Sequence, residues 1–216
     1  MRSVLVLCAH NDDQIIGAGG TLAKYSREGI KVVTVIFSYG MLSHPHLQKK
    51  VIIETRVRES LAGNKVMCGP DSEVYYLGLS EGRFDAEIQQ KKISTRIRRM
   101  IRQYKPEKIF THSLDDPHPD HRAVYRFVTS LAEKMKFRGD IYSFNVWNFF
   151  FNLRNRQLPR LIVDISDTMR YKVEAFRKHK SQWIVQLQFM WSVYAQAILN
   201  GLIYRYKYAE VFFKIR

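Results

Sequence analysis

The run Ser3-Val4-Leu5-Val6-Leu7-Cys8 has no polar residue after its serine, and Ala9-His10-Asn11-Asp12-Asp13-Gln14 follows at once. Unbroken β-branched and leucine residues, without alternation, describe a strand covered on both faces, which is the condition of a parallel sheet between helical layers. The polar residues after Cys8 then form the loop at that strand's carboxyl end. Further strands are expected over residues 31–37, 73–79 and 108–112.

Between these strands the spacing turns helical. One helix reaches Arg27 and is closed by Glu28-Gly29. A second covers about residues 47–64, with Val51, Ile52, Thr55 and Leu61 on its apolar side. A third covers residues 86–104, where Ile93, Ile97, Met100 and Ile101 recur at helical spacing before Pro106 stops it. Strand, loop and helix in repetition predict right-handed crossovers and an α/β chain with a mostly parallel sheet. In the last third, residues 141–151 and 161–165 read as strands, and 168–180 and 183–203 as helices packed on that sheet.

No repeat, low-complexity tract or Gly/Ser linker divides the chain. Its 216 residues, 46% hydrophobic, suffice for one well-buried core, so a single domain over residues 1–216 is expected. Lys and Arg number 35 against 20 Asp and Glu, a formal charge of +15. That excess favours anionic neighbours such as phosphates, nucleic acid or a membrane surface, and says nothing about fold. Cys8 and Cys68 are too few for a disulfide framework, and His10 interrupts the first apolar run too early for a signal peptide, which fits a reduced, cytoplasmic setting.

Chemistry gathers at two predicted strand ends. His10, Asp12 and Asp13 follow the first strand; Asp115-Asp116-Pro117-His118-Pro119-Asp120-His121 follows the fourth. Open parallel sheets bind ligands beyond the carboxyl ends of their strands. Each acid or histidine alone is an ordinary loop residue. Delivered together to one sheet edge, they concentrate charge that a cation would offset, and imidazole with carboxylate suits zinc or a similar divalent ion with a position left for water.

The stretch from Val6 through Ala9-His10-Asn11-Asp12-Asp13-Gln14 to Gly17-Ala18-Gly19-Gly20 resembles the opening of the LmbE-like or PIG-L family of zinc-dependent N-acetylglucosaminyl deacetylases, usually Ala-His-Pro-Asp-Asp-Glu before a glycine-rich helix start. His118-Pro119-Asp120-His121 resembles that family's His-Pro-Asp-His. Arg56-Val57-Arg58-Glu59 is similar to its Arg-x-x-Glu helix, and His179-Lys180-Ser181-Gln182 to its late His-x-Ser-Gln. The resemblance implies a Rossmann-like three-layer fold and removal of an acetyl group from an N-acetyl sugar, whether glycan, nucleotide sugar or glycoconjugate. It implies Zn2+ held by His10, Asp13 and His121, with Asp12 as general base. His118 would stabilise the oxyanion and protonate the leaving amine as a paired imidazolium, oriented or charged by Asp120. Arg56 falls where the family places an arginine near the sugar, the alternative being an exposed arginine paired with Glu59. His179 either lines the site or caps a helix. Two positions depart from the pattern: Asn11 stands for proline, which a turn tolerates, and Gln14 for glutamate, which removes a charge near the metal and leaves open a weakened, glycan-binding site.

Other readings are weaker. Gly17-Ala18-Gly19-Gly20-Thr21-Leu22-Ala23 matches a dinucleotide fingerprint but lies eight residues beyond Cys8, and residues 36–39 lack an acid for a ribose. Those glycines are expected instead to let the helix start pack against the metal loop. Lys91, Lys92, Arg96, Arg98, Arg99 and Arg102 read as a solvated helix face, since no nucleic-acid motif accompanies them. Residues 181–204 carry no formal charge, but four glutamines argue for a packed or interfacial helix over a membrane span. Its aromatics, with Arg205 and Lys207 beyond, permit peripheral contact with an anionic membrane or lipid-linked glycan. A homo-oligomer stays open.

Overall fold

The computed structural model describes residues 2–42, 46, 48–147 and 157–216. Its strands are β1 (Ser3–Cys8), β2 (Lys31–Ser38), β3 (Glu73–Leu79), β4 (Lys108–His112), β5 (Asp140–Phe144), β6 (Arg160–Asp164) and β7 (Ala209–Lys214). Its helices are α1 (Asp13–Arg27), α2 (Lys49–Cys68), α3 (Phe84–Gln90), α4 (Ile93–Tyr104), α5 (Pro119–Lys134), α6 (Met169–Arg177) and α7 (Trp183–Tyr204), with a 3-10 turn at Lys180–Gln182. One sheet has the order β3-β2-β1-β4-β5-β7-β6. β1 to β5 pair in parallel, and β7 inserts antiparallel between β5 and β6. This is the expected α/β three-layer class with a mostly parallel sheet.

Every residue of β1 is buried, which explains its unbroken apolar run. Val4, Val6 and Cys8 face one core with Ile15, Phe110, Phe176 and Phe212, while Leu5, Leu7 and Ala9 face the other with Phe37, Ile97 and Phe127. Each such side chain contributes about 1.5–3 kcal/mol on burial, so the strand cannot slip by one residue without exchanging two cores.

Several elements differ from the sequence expectation. The helix expected over residues 86–104 is two, α3 and α4, because Lys92 adopts a left-handed conformation, φ 50°. The apolar period runs on across the break since Ile88 and Ile93 both reach the same core. α4 buries Ile93, Ile97 and Ile101, and Lys91, Lys92, Arg96, Arg99 and Arg102 lie exposed, as a solvated face should. α2 runs to Cys68, and its buried side is largely polar, with Arg56, Glu59, Ser60 and Asn64, whereas Val51 and Leu61 are exposed. That helix backs a polar site. β5 ends at Phe144 because the next backbone N–H groups, at Val146 and Trp147, turn to Asp116 instead of a strand. Residues 148–151 of that expected strand, and Leu47 of the second helix, lie outside the described residues.

The glycines of α1 serve close packing against the sheet. A Cβ at Gly17 would lie 2.2 Å from Phe144 Cδ2, and one at Gly20 2.7 Å from Ile165 Cδ1. They meet β5 and the end of β6, not the metal loop as expected. Glu210 of β7 accepts from the N–H groups of Gly20 and Thr21 and pairs with buried Lys172, so a charge within an apolar strand is fully used.

Candidate metal and substrate site

β2 lies on one side of β1 and β4 on the other, so the strand order reverses between β1 and β4. The loops leaving these two strands meet in the crevice that such a switch point opens. His10, Asp12 and Asp13 come from the first loop and the start of α1. Asp116, His118, Asp120 and His121 come from the second loop and the first turn of α5. Local chemistry fixes that turn: His118 is the N-cap, its Nδ1 accepts the Asp120 N–H at 3.2 Å, and Pro119 opens the helix.

His10 Nδ1 is 3.2 Å from His121 Nε2 and 3.4 Å from Asp13 Oδ2, and Asp13 Oδ1 is 3.4 Å from His121 Nε2. Ligand atoms of these three residues lie within 4.8 Å of one another, as do those of His10, His118 and Asp120 and those of His112, Asp116 and His121. The cluster can hold a metal ion. Burial opposes charge on His10, yet Asp13 and Asp120 push its imidazole up to about 10, a sign of the cation-seeking potential these carboxylates create. Asp13, despite burial, is held well below the carboxylate range by His121, His112 and His10.

Asp120 acts on His118 through charge, raising it, with no hydrogen bond between the two side chains. Its carboxylate accepts from Gly82 N–H at 3.0 Å and lies 3.4 Å from His10 Nε2, and only its backbone N–H meets the His118 ring. Burial, then the neighbouring His10 and His121, lower His118, against Asp120 and Asp13, which raise it. With Nδ1 accepting, a neutral ring carries its proton on Nε2.

Two further residues belong to the cluster and were given no role from sequence. His112, the last residue of β4, accepts the Ala9 N–H at 3.0 Å, lies 3.2 Å from Asp13 Oδ2 and stacks on His121 with ring centroids 3.9 Å apart. Burial, then the adjacent His121, holds it down at about 4. Asp116 sets Oδ1 2.9 Å from His121 Nδ1. A histidine closing the strand paired with β1 was the only available signal for His112; Asp116 had none beyond its place in an acidic loop.

The departures at positions 11 and 14 have structural partners. Asn11 Nδ2 donates to Tyr39 O at 2.9 Å, tying the loop to the end of β2. Gln14, fully buried, donates from Nε2 to Asn11 O at 3.2 Å and accepts from Cys8 Sγ. An ionised glutamate could not donate that first bond.

A cavity of about 470 Å³ opens beside the cluster, its lining including polar His10, Asp12, Asp13, Arg56, His118 and Asp120 and apolar Trp147, Val185 and Phe189. Arg56 is buried, with Nη2 3.5 Å from Asp12 Oδ2 and its Nε and Nη1 without a hydrogen-bond partner among the described residues. It is therefore not an exposed arginine paired with Glu59. Glu59 instead accepts from Ser181 N and Oγ, at 2.7 and 2.6 Å, joining α2 to the turn before α7. His179 has no solvent exposure and is absent from the cavity wall; its Nε2 packs against Gly63 of α2.

A covered, mostly parallel sheet whose switch point gathers imidazoles and carboxylates defines an α/β protein with a metal-competent centre at its strand ends. Within that class the chain belongs to the PIG-L family, whose model, described as GlcNAc-PI de-N-acetylase, matches residues 5–132. It is 26% identical to the diacetylchitobiose deacetylase of Thermococcus kodakarensis over 97% of this chain and 82% of that protein. The N,N'-diacetylchitobiose deacetylase structure from Pyrococcus horikoshii superposes with a TM-score of 0.80 at 21% identity, covering 99% of this chain and 84% of that one. GalB, the 4-carboxy-2-hydroxymuconate hydratase of Pseudomonas putida KT2440, also superposes at 0.80, with 18% identity, 100% of this chain and 97% of that one covered. Both structural likenesses speak to fold, and the second shows that this fold hosts more than one reaction.

Proposed function

We propose that this protein removes the acetyl group from an N-acetylated sugar of the N-acetylglucosamine type, with zinc held by His10, Asp13 and His121. The observation that carries this reading is the convergence of those three ligands within 4.8 Å beside a cavity presenting Asp12, Arg56 and His118. Two imidazoles and one carboxylate form a donor set typical of catalytic zinc, so the residues fit the ion. When bound, zinc supplies Lewis acidity and makes water acidic enough to ionise near neutral pH.

The chain's own residues do the rest. Asp12, on the cavity wall and steadied by Arg56, takes the proton of the attacking water and delivers it to the leaving amine. His118 offers Nε2–H to the oxyanion, its other nitrogen being occupied by the Asp120 N–H. Asp120 acts on His10, and the Nε and Nη1 donors of Arg56 suit hydroxyl or phosphate oxygens of the glycan. The cavity lies within the size range of small-molecule sites. Metal analysis and acetate release from diacetylchitobiose and related glucosaminides test the reading. Asp12→Asn should keep the metal and lose about 10²–10⁴-fold in turnover, and His121→Ala should lose the metal. Absence of stoichiometric metal, or acetate release unchanged in both variants, overturns it.

A further inference from the structure

The helix α7 is built inside out. Its buried positions are Phe189, Ser192, Val193, Ala197, Asn200 and Gly201, of which four are small or polar. Its large apolar side chains point outward: Ile184, Leu187, Trp191, Leu199, Leu202 and Ile203 are between 50% and 72% exposed. They recur at helical spacing along all 22 residues, a stripe about 33 Å long. Monomeric soluble proteins rarely leave so continuous an apolar face uncovered. Of the chain's three tryptophans, Trp183 and Trp191 belong to this helix and Trp147 packs on its Phe189, each about half exposed or more.

Charge identifies what covers the stripe. From Ala175 to Ala209 there is no acidic residue, and the five basic ones sit at the two ends of the helix, Arg177, Lys178 and Lys180 before it and Arg205 and Lys207 after it. Glu174, 3.7 Å from Lys178, is an exposed acid near the first end, and Asp167, next to the Ser166 that accepts the Tyr208 N–H, is one near the second, so the basic residues outnumber the exposed acids at both ends. Two copies stacked through this face would bring basic ends against basic ends in either direction. An anionic lipid surface has the complementary charge, and an uncharged helix rich in tryptophan with flanking cations is suited to lie in the headgroup region. No helix among the described residues is long and apolar enough to cross a membrane, so contact would be from one side.

We propose that the outward face of α7 docks this protein flat on an anionic bilayer. The same helix supplies Val185 and Phe189 to the cavity wall, and Trp147 packs on Phe189 at 4.7 Å between ring centroids, so docking would hold the cavity mouth at the lipid surface. The inference does not depend on the reaction catalysed.

The full chain is mixed with vesicles of phosphatidylcholine alone or with phosphatidylglycerol, and sedimentation and tryptophan emission are followed. Binding to the anionic vesicles, a blue-shifted emission, and weakening as salt rises are expected. Leu187→Gln with Leu202→Gln should lower partitioning about ten-fold or more, because both lose apolar contact with lipid. Leu61→Gln, an exposed leucine on α2, should leave it unchanged. Protein that stays unbound with unshifted emission overturns the proposal. So does binding indifferent to lipid charge, or a concentration-dependent dimer broken by the same two substitutions without vesicle binding, which would assign the face to a second copy.

Discussion

Asp116→Asn separates a residue that supports the proposed metal ligand His121 from one that fills a loop. Asp116 is buried; Oδ1 accepts the His118 N–H at 2.9 Å and lies 2.9 Å from His121 Nδ1, while Oδ2 faces the N–H groups of Trp147 and Val146 at 3.3 and 3.4 Å. Both oxygens therefore serve donors. Asparagine keeps the shape but has one acceptor. If its oxygen stays on His121, its NH2 meets two backbone N–H groups; if it flips, the NH2 meets His121 and His118. Either way a donor faces donors, and the charge that polarises His121 is gone. Loss of such a partner costs about 10- to 100-fold in metal affinity, or about 1.4–2.8 kcal/mol. At a fixed excess of zinc the metal-induced stabilisation falls by the same amount. With about 2–4 °C per kcal/mol for a chain of this size, the rise in Tm between chelator and zinc should shrink by about 3–11 °C. The misplaced N–H contacts lower stability in chelator as well, by about 1–3 kcal/mol, so the difference between the two conditions, not the absolute Tm, is the readout. Thermal melts with and without zinc, checked by chelator competition, decide it. A zinc-dependent shift equal to that of the wild type would refute the role given to Asp116.

Gly17→Ala sets helix propensity against packing: propensity alone favours alanine by up to about 1 kcal/mol, but the new Cβ would sit 2.2 Å from Phe144 Cδ2. Packing should win, with a net loss of about 1–3 kcal/mol in urea unfolding that Phe144→Leu partly restores; a neutral or stabilised variant would show that the close approach is not needed. Glu59→Gln and Ser181→Ala should each destabilise, and together by less than their sum, with a coupling of about 1 kcal/mol in a double-mutant cycle, whereas strict additivity would deny the link between α2 and the turn before α7. Glu73, though burial opposes its charge, is held down at about 2 by hydrogen bonds from Lys31, Tyr104 and Tyr75. A depressed carboxylate contributes stability above its ordinary value and loses it as pH falls toward the folded one. Glu73→Gln should therefore be less stable than wild type at pH 7 by about 1 kcal/mol or less at this half-exposed site, with the gap closing in acid; a gap that widens in acid refutes the assignment.

What the sequence made legible is whatever short-range pattern encodes. β1 announced itself because both of its faces are buried, and His10, Asp12, Asp13, His118 and His121 stood out because two loops beside such strands were dense in ligating groups. α3 and α4 read as one helix because a single left-handed residue, Lys92, interrupts the backbone without interrupting the apolar period. β7 had no local signature as a sheet member: its partners are β5 and β6, far away in the chain, and its buried glutamate makes sense only once α1 and Lys172 are beside it. His112 and Asp116 were illegible for the same reason. A histidine at the end of a strand acquires meaning only when the register of β1 against β4 brings it under Ala9 and Asp13, and an acid in a loop only when β5 stops at Phe144 and turns two N–H groups toward it. The side chains that offer ligands come from motifs within a few residues of one another, whereas the groups that orient those ligands come from chain crossings. That division explains why the two readings of Arg56, a residue near the sugar or an exposed partner of Glu59, parted only in the structure: it is buried beside Asp12, and the polar inner face of α2 is intelligible only from the loop it backs.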